Sequence, residues 1–279
     1  MRKLVYFLTL IPFIGFAQIQ LPAASPSAVI TQGVGLGTVT IDYSRPSAKG
    51  RKVFGNLVPY GKVWRTGANK ITSISFSEKM KINGTEMDAK KYGLYTIPGV
   101  KSWKIILNND SEQWGAYEYN SVQDALSFEV QPIELDHNVN EMTIAFEEFT
   151  PTSTYVVISW ETTAVKFKIE HDVKKDILAA IETEMSKEKP LVASYFTSAD
   201  YYFQNDYKLP QALDWAKRAL AADEQYWTYQ LVARIAAKMG KCDQAVPAAK
   251  ASMKLAKEAG DDAYILLNQH SLMMCGVSE

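Results

Sequence analysis

The hydrophobic positions of this 279-residue chain follow two different periods. Between residues 38 and 170 they recur at every second position in short runs rich in Val, Ile, Thr, Tyr, Phe and Trp, punctuated by Gly, Pro and Asn. That spacing predicts strands over 38–43, 71–76, 79–82, 92–97, 103–107, 126–130, 142–149, 155–160 and 165–169. Within 71–76, Ile74 and Phe76 share one face while Ser73 and Ser75 take the other, and Met142, Ile144 and Phe146 alternate in the same way. Many short strands with no helical pattern between them predict an antiparallel β-sandwich or barrel. Asn83-Gly84, directly after 79–82, predicts a two-residue hairpin turn.

From residue 172 the spacing lengthens. Val173, Ile177, Ile181 and Met185 stand four apart, which predicts an amphipathic helix over 172–187, and Pro190 stops it. Further helices are predicted over 191–204, 210–222, 227–239, 243–259 and 261–274, with Gly240 and Gly260 placed for left-handed C-terminal caps. The expected architecture is therefore multi-domain, an all-β domain over 18–171 followed by an all-α domain over 172–279. Inside the second, Ala212-Leu213-x-x-Ala216-x-x-Ala219 recurs 33 residues later as Ala245-Val246-x-x-Ala249-x-x-Ser252, small residues that let two helices approach closely. Period and pattern resemble tetratricopeptide repeats, whose period is about 34 residues. The resemblance implies a tail of helical hairpins. It covers about two units and departs at Glu224, where that family favours proline; a plain helical bundle is the alternative.

Composition narrows the partners. Thirty Lys and Arg against 31 Asp and Glu leave a net charge of −1, so no global field gathers nucleic acid or anionic membrane. No apolar run beyond the N-terminus approaches the ~18 residues of a membrane helix. At the N-terminus, Arg2 and Lys3 precede an apolar run over 4–16 that closes on the small residues Gly15 and Ala17. This predicts a signal peptide over 1–17 and a soluble product exported to the periplasm or beyond. Cys242 and Cys275 are too few for a disulfide framework; export would permit one bridge between them, but spacing alone does not give the Cα separation it needs.

The densest chemistry lies in residues 45–69, R-P-S-A-K-G-R-K-V-F-G-N-L-V-P-Y-G-K-V-W-R-T-G-A-N, which reads poorly as helix or strand and is expected to be a shaped loop. Arg45, Arg51 and Arg65 offer planar donor forks for carboxylates, phosphates or backbone carbonyls, and a buried arginine with no partner costs several kcal/mol. Each must therefore find an acceptor. Under a structural reading the acceptors are internal, the block locks one end of the sandwich, and removing Arg65 lowers stability. Under a functional reading Arg45, Arg51, Trp64, Arg65, Asn69, Tyr95 and Trp114, with Trp103, line a site for an anionic or sugar-like ligand.

The same block continues into I-N-G-T-E-M-D-A-K-K-Y-G-L-Y-T-I-P-G and W-K-I-I-L-N. Together these stretches resemble the exported domain-of-unknown-function family 2911 (DUF2911), whose pattern runs Y-S-R-P-x-x-x-G-R, V-P-Y-G-x-x-W-R-T-G-A-N and A-G-x-Y-x-L-x-x-I-P. The resemblance spans about residues 28–169 and departs at Lys90, where the family commonly has glycine. It implies a secreted β-rich domain and supplies no substrate.

Signals for catalysis are thin. His137, His171 and His270 are scattered with no metal-ligand spacing, and neither H-E-x-x-H nor G-x-S-x-G occurs. Gly33-x-Gly35-x-Gly37 precedes a strand and not a helix, so it reads as a strand bend, not a dinucleotide loop. No metal, cofactor or catalytic residue is expected. The function expected is a secreted, envelope-associated binding or interaction module, with a protein or peptide partner for the helical tail. The alternative is a carbohydrate-binding protein or a glycan hydrolase using acids such as Asp110 and Glu112, with Glu118, Glu147 and Glu148 further along.

Overall fold

In strand β2 (Gly37–Ser44), Val39, Ile41 and Tyr43 are buried while Thr38 and Asp42 face solvent, the half-buried alternation that the sequence displays. A computed structural model describes residues 21–277; the expected signal segment, 1–17, lies outside the described residues. The chain divides into two compact units, one ending at Val173 and one beginning at Lys174.

The first unit is an antiparallel two-sheet sandwich, not closed into a barrel. One sheet has the order β1-β2-β3-β6-β7-β8 and the other β5-β4-β10-β9. These strands are β1 (Ser27–Val34), β3 (Ser73–Phe76), β4 (Met80–Ile82), β5 (Thr85–Met87), β6 (Lys91–Ile97), β7 (Trp103–Asn108), β8 (Asp124–Val130), β9 (Ile133–Thr150) and β10 (Ser153–Glu170). Ile41, Ile74, Leu94 and Ile105 of the first sheet meet Ile144, Ile158, Trp160 and Phe167 of the second in a single core. Each such side chain contributes roughly 1.5–3 kcal/mol on burial. Between β4 and β5 the hairpin turn is Asn83 (φ +47) and Gly84 (φ +87), the paired left-handed residues that an Asn-Gly turn requires.

Three strand expectations are corrected. The runs 155–160 and 165–169 belong to one strand, β10, whose register with β9 shifts on both sides of Glu161 (φ +55); this bulge interrupts the side-chain alternation without ending the strand. Strand β9 starts at Ile133, well before residue 142, because its first half is largely solvated and the alternation of Ile133, Leu135 and Val139 is broken at His137. The glycine-rich stretch is a hairpin turn and not a bend: Val34 pairs with Gly37, and Gly35 sits at φ +59 against His171.

Strand β6 is buried on both faces. Tyr92 and Leu94 enter the main core, while Tyr95 on the opposite face packs with Ile71 and Ile106 under Ala116 and Tyr119 of the loop that follows β7.

The second unit comprises α1 (Lys174–Met185), α2 (Val192–Gln204), α3 (Leu209–Ala222), α4 (Tyr226–Lys238), α5 (Cys242–Ala259) and α6 (Asp262–Met274). Successive hairpins α2/α3 and α4/α5 give it the tetratricopeptide-like form that the repeat implied. Ala212, Ala216 and Ala219 of α3 and Ala245, Ala249 and Ser252 of α5 are all buried at helix contacts. Ser252 stands where α3 has Ala219 because its hydroxyl donates to the Tyr226 carbonyl (2.6 Å) and accepts from Asn268 Nδ2 (2.7 Å), joining α5 to α4 and α6. Cys242 and Cys275 form a disulfide with Cα atoms 5.5 Å apart. For a loop of that length the bridge contributes about 3–4 kcal/mol. No helix among the described residues is long and apolar enough to cross a membrane.

Candidate functional site

Residues 45–72 form a strap on the sandwich. Its first part runs beside β9: Met142 N donates to the Pro46 carbonyl (2.9 Å), and Ala48 N donates to Asn140 O (2.7 Å). A tight turn over 53–58 follows, in which Gly55 (φ +86) lies against the Tyr60 ring so closely that a Cβ would approach it to 2.6 Å. Val53 N is held by the Glu161 carboxylate (3.1 Å). The strap then meets β6, where Trp64 and Thr96 exchange two backbone hydrogen bonds of 2.8 and 2.9 Å. Trp64 Nε1 donates to Gly67 O (3.1 Å), which closes the turn at the far end of the block.

This scaffold settles two of the three arginines. Arg45 donates through Nε to Met142 O (3.1 Å) and through Nη2 to Thr143 Oγ1 (2.8 Å), pinning the strap to β9. Arg51 donates through Nε to Ala48 O (2.9 Å) and through Nη2 to Ser47 O (2.8 Å), closing its own turn. Arg65 differs. Among the described residues its Nε is buried without an acceptor, and no ion pair engages its guanidinium. The next residue, Thr66, is β-branched and buried yet holds φ +55, a conformation costing about 1–3 kcal/mol. It is held there by its hydroxyl's bond to Thr96 Oγ1 (3.1 Å) and by Thr72 Oγ1 donating to its carbonyl (2.6 Å).

Arg65 borders a cavity of about 390 Å³. Among the described residues three cations line it, Arg51, Lys62 and Arg65, and no acid does. Trp64 and Trp160 form an indole wall, with ring centroids 5.9 Å apart and planes 20° from parallel. Leu57, Val58, Pro59 and Val63 supply much of the apolar remainder. The arrangement can hold an anion against an apolar surface.

Of the residues expected at a ligand site, the cavity brings together Arg51, Trp64 and Arg65. The others lie elsewhere. Arg45 is engaged with β9 as described, and Asn69 (φ +57) donates to Ser25 O (3.1 Å) and Ser44 Oγ (3.4 Å). Trp103 is a core residue packed on Phe54 at 4.7 Å. Tyr95 is fully buried and donates to Gln113 Oε1 (2.8 Å); burial first, then the nearby Asp110 and Asp124 carboxylates, push its hydroxyl up to about 12. Trp114 is 68% exposed and bridges to Lys70. Two lining residues, Lys62 and Trp160, were not anticipated. Lys62 lies inside the conspicuous block, whereas Trp160 reads only as a strand residue far along the chain.

The acids have their own partners. Asp110 Oδ1 accepts from Glu112 N (3.1 Å) and Oδ2 from Gln113 Nε2 (2.7 Å). Glu112 is clamped by Lys70 and by Lys91 (2.7 Å), and the hydrogen bonds from these two ammonium groups hold its carboxyl down at about 2. No group of three or more His, Cys, Asp or Glu among the described residues could hold a metal ion.

Residues 25–169 match a family model described as protein of unknown function (DUF2911). No curated protein and no solved structure matches the chain.

Proposed function

We propose that this chain, which belongs to the DUF2911 family, is an exported, non-catalytic module of the cell envelope that binds a small anionic ligand in the cavity beside Arg65. The observation that carries the reading is the Arg65 guanidinium, half-buried, without an internal acceptor and facing a cavity whose charged lining is entirely cationic. A ligand oxyanion supplies what the fold withholds, a charge-assisted acceptor for the Nη groups of this guanidinium, which no acceptor engages among the described residues. Export is supported by the basic and apolar N-terminal run and by the Cys242–Cys275 bridge, since disulfides persist in oxidising compartments. In the same reading the tetratricopeptide-like unit serves protein or peptide partners, as helical-hairpin arrays commonly do.

The carbohydrate and hydrolase alternatives find less support. The asparagines that would suit a sugar beside the aromatic residues are engaged: Asn69 is bonded internally, Asn108 donates to Asp124 (2.8 Å) and to Asn120 O (3.1 Å), and Asn109 accepts from Lys90 (2.7 Å) and donates to Gln123 O (3.0 Å). Glu112, ionised throughout the neutral range, holds no proton to give a leaving group.

Isothermal titration calorimetry of the chain with phenyl phosphate, phenylacetate and glucose tests the reading. Saturable binding of at least one anion is expected, lost by about 30- to 100-fold in Arg65→Ala. Glucose binding with neither anion bound would overturn it.

A further inference from the structure

The charge and shape of the cavity say more than that it takes an anion. We infer that it selects a small organic dianion bearing an apolar body, of which a phosphate monoester is the simplest kind; this rests on the anion-site reading above. Charge comes first. A monoanion leaves two of the three cations, Arg51, Lys62 and Arg65, without a counter-charge beside apolar walls, and no acid of the lining can make up the deficit. A second negative charge on the same ligand answers one more of them.

Donor count points the same way. Arg51 has Nε and Nη2 committed to Ala48 O and Ser47 O, which leaves Nη1 wholly free for a ligand. Arg65 brings its Nη groups, which no acceptor engages among the described residues, and Lys62 an exposed ammonium with no hydrogen bond or ion pair among them. Three donor groups on three side chains match the three terminal oxygens of a phosphate ester; a carboxylate has two. Size then excludes the bare ion. A cavity of about 390 Å³ holds roughly a dozen waters at about 30 Å³ each. Inorganic phosphate alone would leave most of that space as water against Leu57, Val58, Pro59 and the Trp160 indole, and an aromatic or branched aliphatic body fills it.

Calorimetry at pH 8, where a phosphate monoester with its second pKa of about 6 is a dianion, compares phenyl phosphate, phenylacetate, inorganic phosphate and a pentapeptide carrying phosphotyrosine. Phenyl phosphate is expected to bind about tenfold or more tightly than either phenylacetate or inorganic phosphate. Lys62→Ala, a change at an exposed side chain, should lower phenyl phosphate affinity by about tenfold and affect phenylacetate less. Arg65→Lys keeps a charge but loses the fork, and should weaken both organic anions. Phosphotyrosine peptide binding weaker than phenyl phosphate supports a free small molecule; equal or tighter peptide binding overturns that part. If phenylacetate or inorganic phosphate equals phenyl phosphate, or if the preference survives Lys62→Ala, dianion selectivity falls while the anion site stands. If none of the four binds, both fall together.

Discussion

Arg65 in the sandwich and Arg234 in the helical unit each bury an Nε that no acceptor among the described residues reaches, yet their surroundings are opposite. Arg234 places Nη2 on Asp200 and lies over the Phe203 ring at 4.4 Å, so its charge is answered and its flat face is covered. Lys238 joins it over the same ring at 5.2 Å and pairs with Asp206. Every cation in that cluster has a carboxylate. Beside Arg65 the cations have none among the described residues, and there is space in front of them. An unsatisfied buried donor is thus not a binding site in itself; a missing counter-charge together with a cavity makes the difference.

The largest test removes the wall that maintains that space. Trp160 is buried, stacks on Trp64 and donates through Nε1 to Asn140 O (3.1 Å), so Trp160→Ala is expected to cost about 3–5 kcal/mol in urea unfolding. A loss below about 1 kcal/mol would mean that the indole wall is not part of the core. Next come the arginines themselves. Arg234→Ala strands Asp200 and uncovers Phe203, and because the pair is about one-third exposed the expected loss is about 1–3 kcal/mol. Arg65→Ala removes an unanswered charge and should change stability by less than about 1 kcal/mol while weakening anion binding by about 30- to 100-fold. Equal losses for the two variants would show that Arg65 has an internal acceptor and would break the contrast. This expectation reverses the one that follows from reading all three arginines as locks.

The smallest effect concerns a surface cation–anion cluster of the answered kind. Glu112 between Lys70 and Lys91 has its folded value at about 2 against an ordinary 4.5. Its contribution is therefore present above pH 4.5 and is lost as pH falls through about 2. A carbon-detected NMR titration of the Glu112 carboxyl should place its midpoint near 2; a midpoint at the ordinary 4.5 would show that the lysines do not hold it.

Which parts of this could be read from the chain follows from the physics of each part. Strands β2, β3, β6 and β7 were legible because burial on one or both faces makes them apolar and bounded by turn residues. Strand β1 escaped because its residues alternate between exposed and only partly buried, with Val34 alone fully buried, and β10 was split by a bulge at one residue, Glu161. The helices were legible almost to their ends, as i, i+4 spacing and the Gly240 and Gly260 signals are local. At the site, the block around Arg51, Trp64 and Arg65 could be seen as unusual, but which arginine lacks a partner depends on Met142, Thr143 and the turn carbonyls, contacts that spacing does not encode. Tyr95 was misplaced for a simpler reason. Its neighbour Leu94 faces the core, so the pleat sends Tyr95 to the opposite face, beneath the loop carrying Ala116 and Tyr119.

The Cys242–Cys275 bond joins the first residue of α5 to the residue just beyond α6, so both helices and the Gly260 turn between them lie within one covalent ring. A ring cut once is still a single molecule. A protease that nicks the exposed turn at Gly260 therefore releases no fragment, and the severed helices stay tethered until a reductant opens the bond.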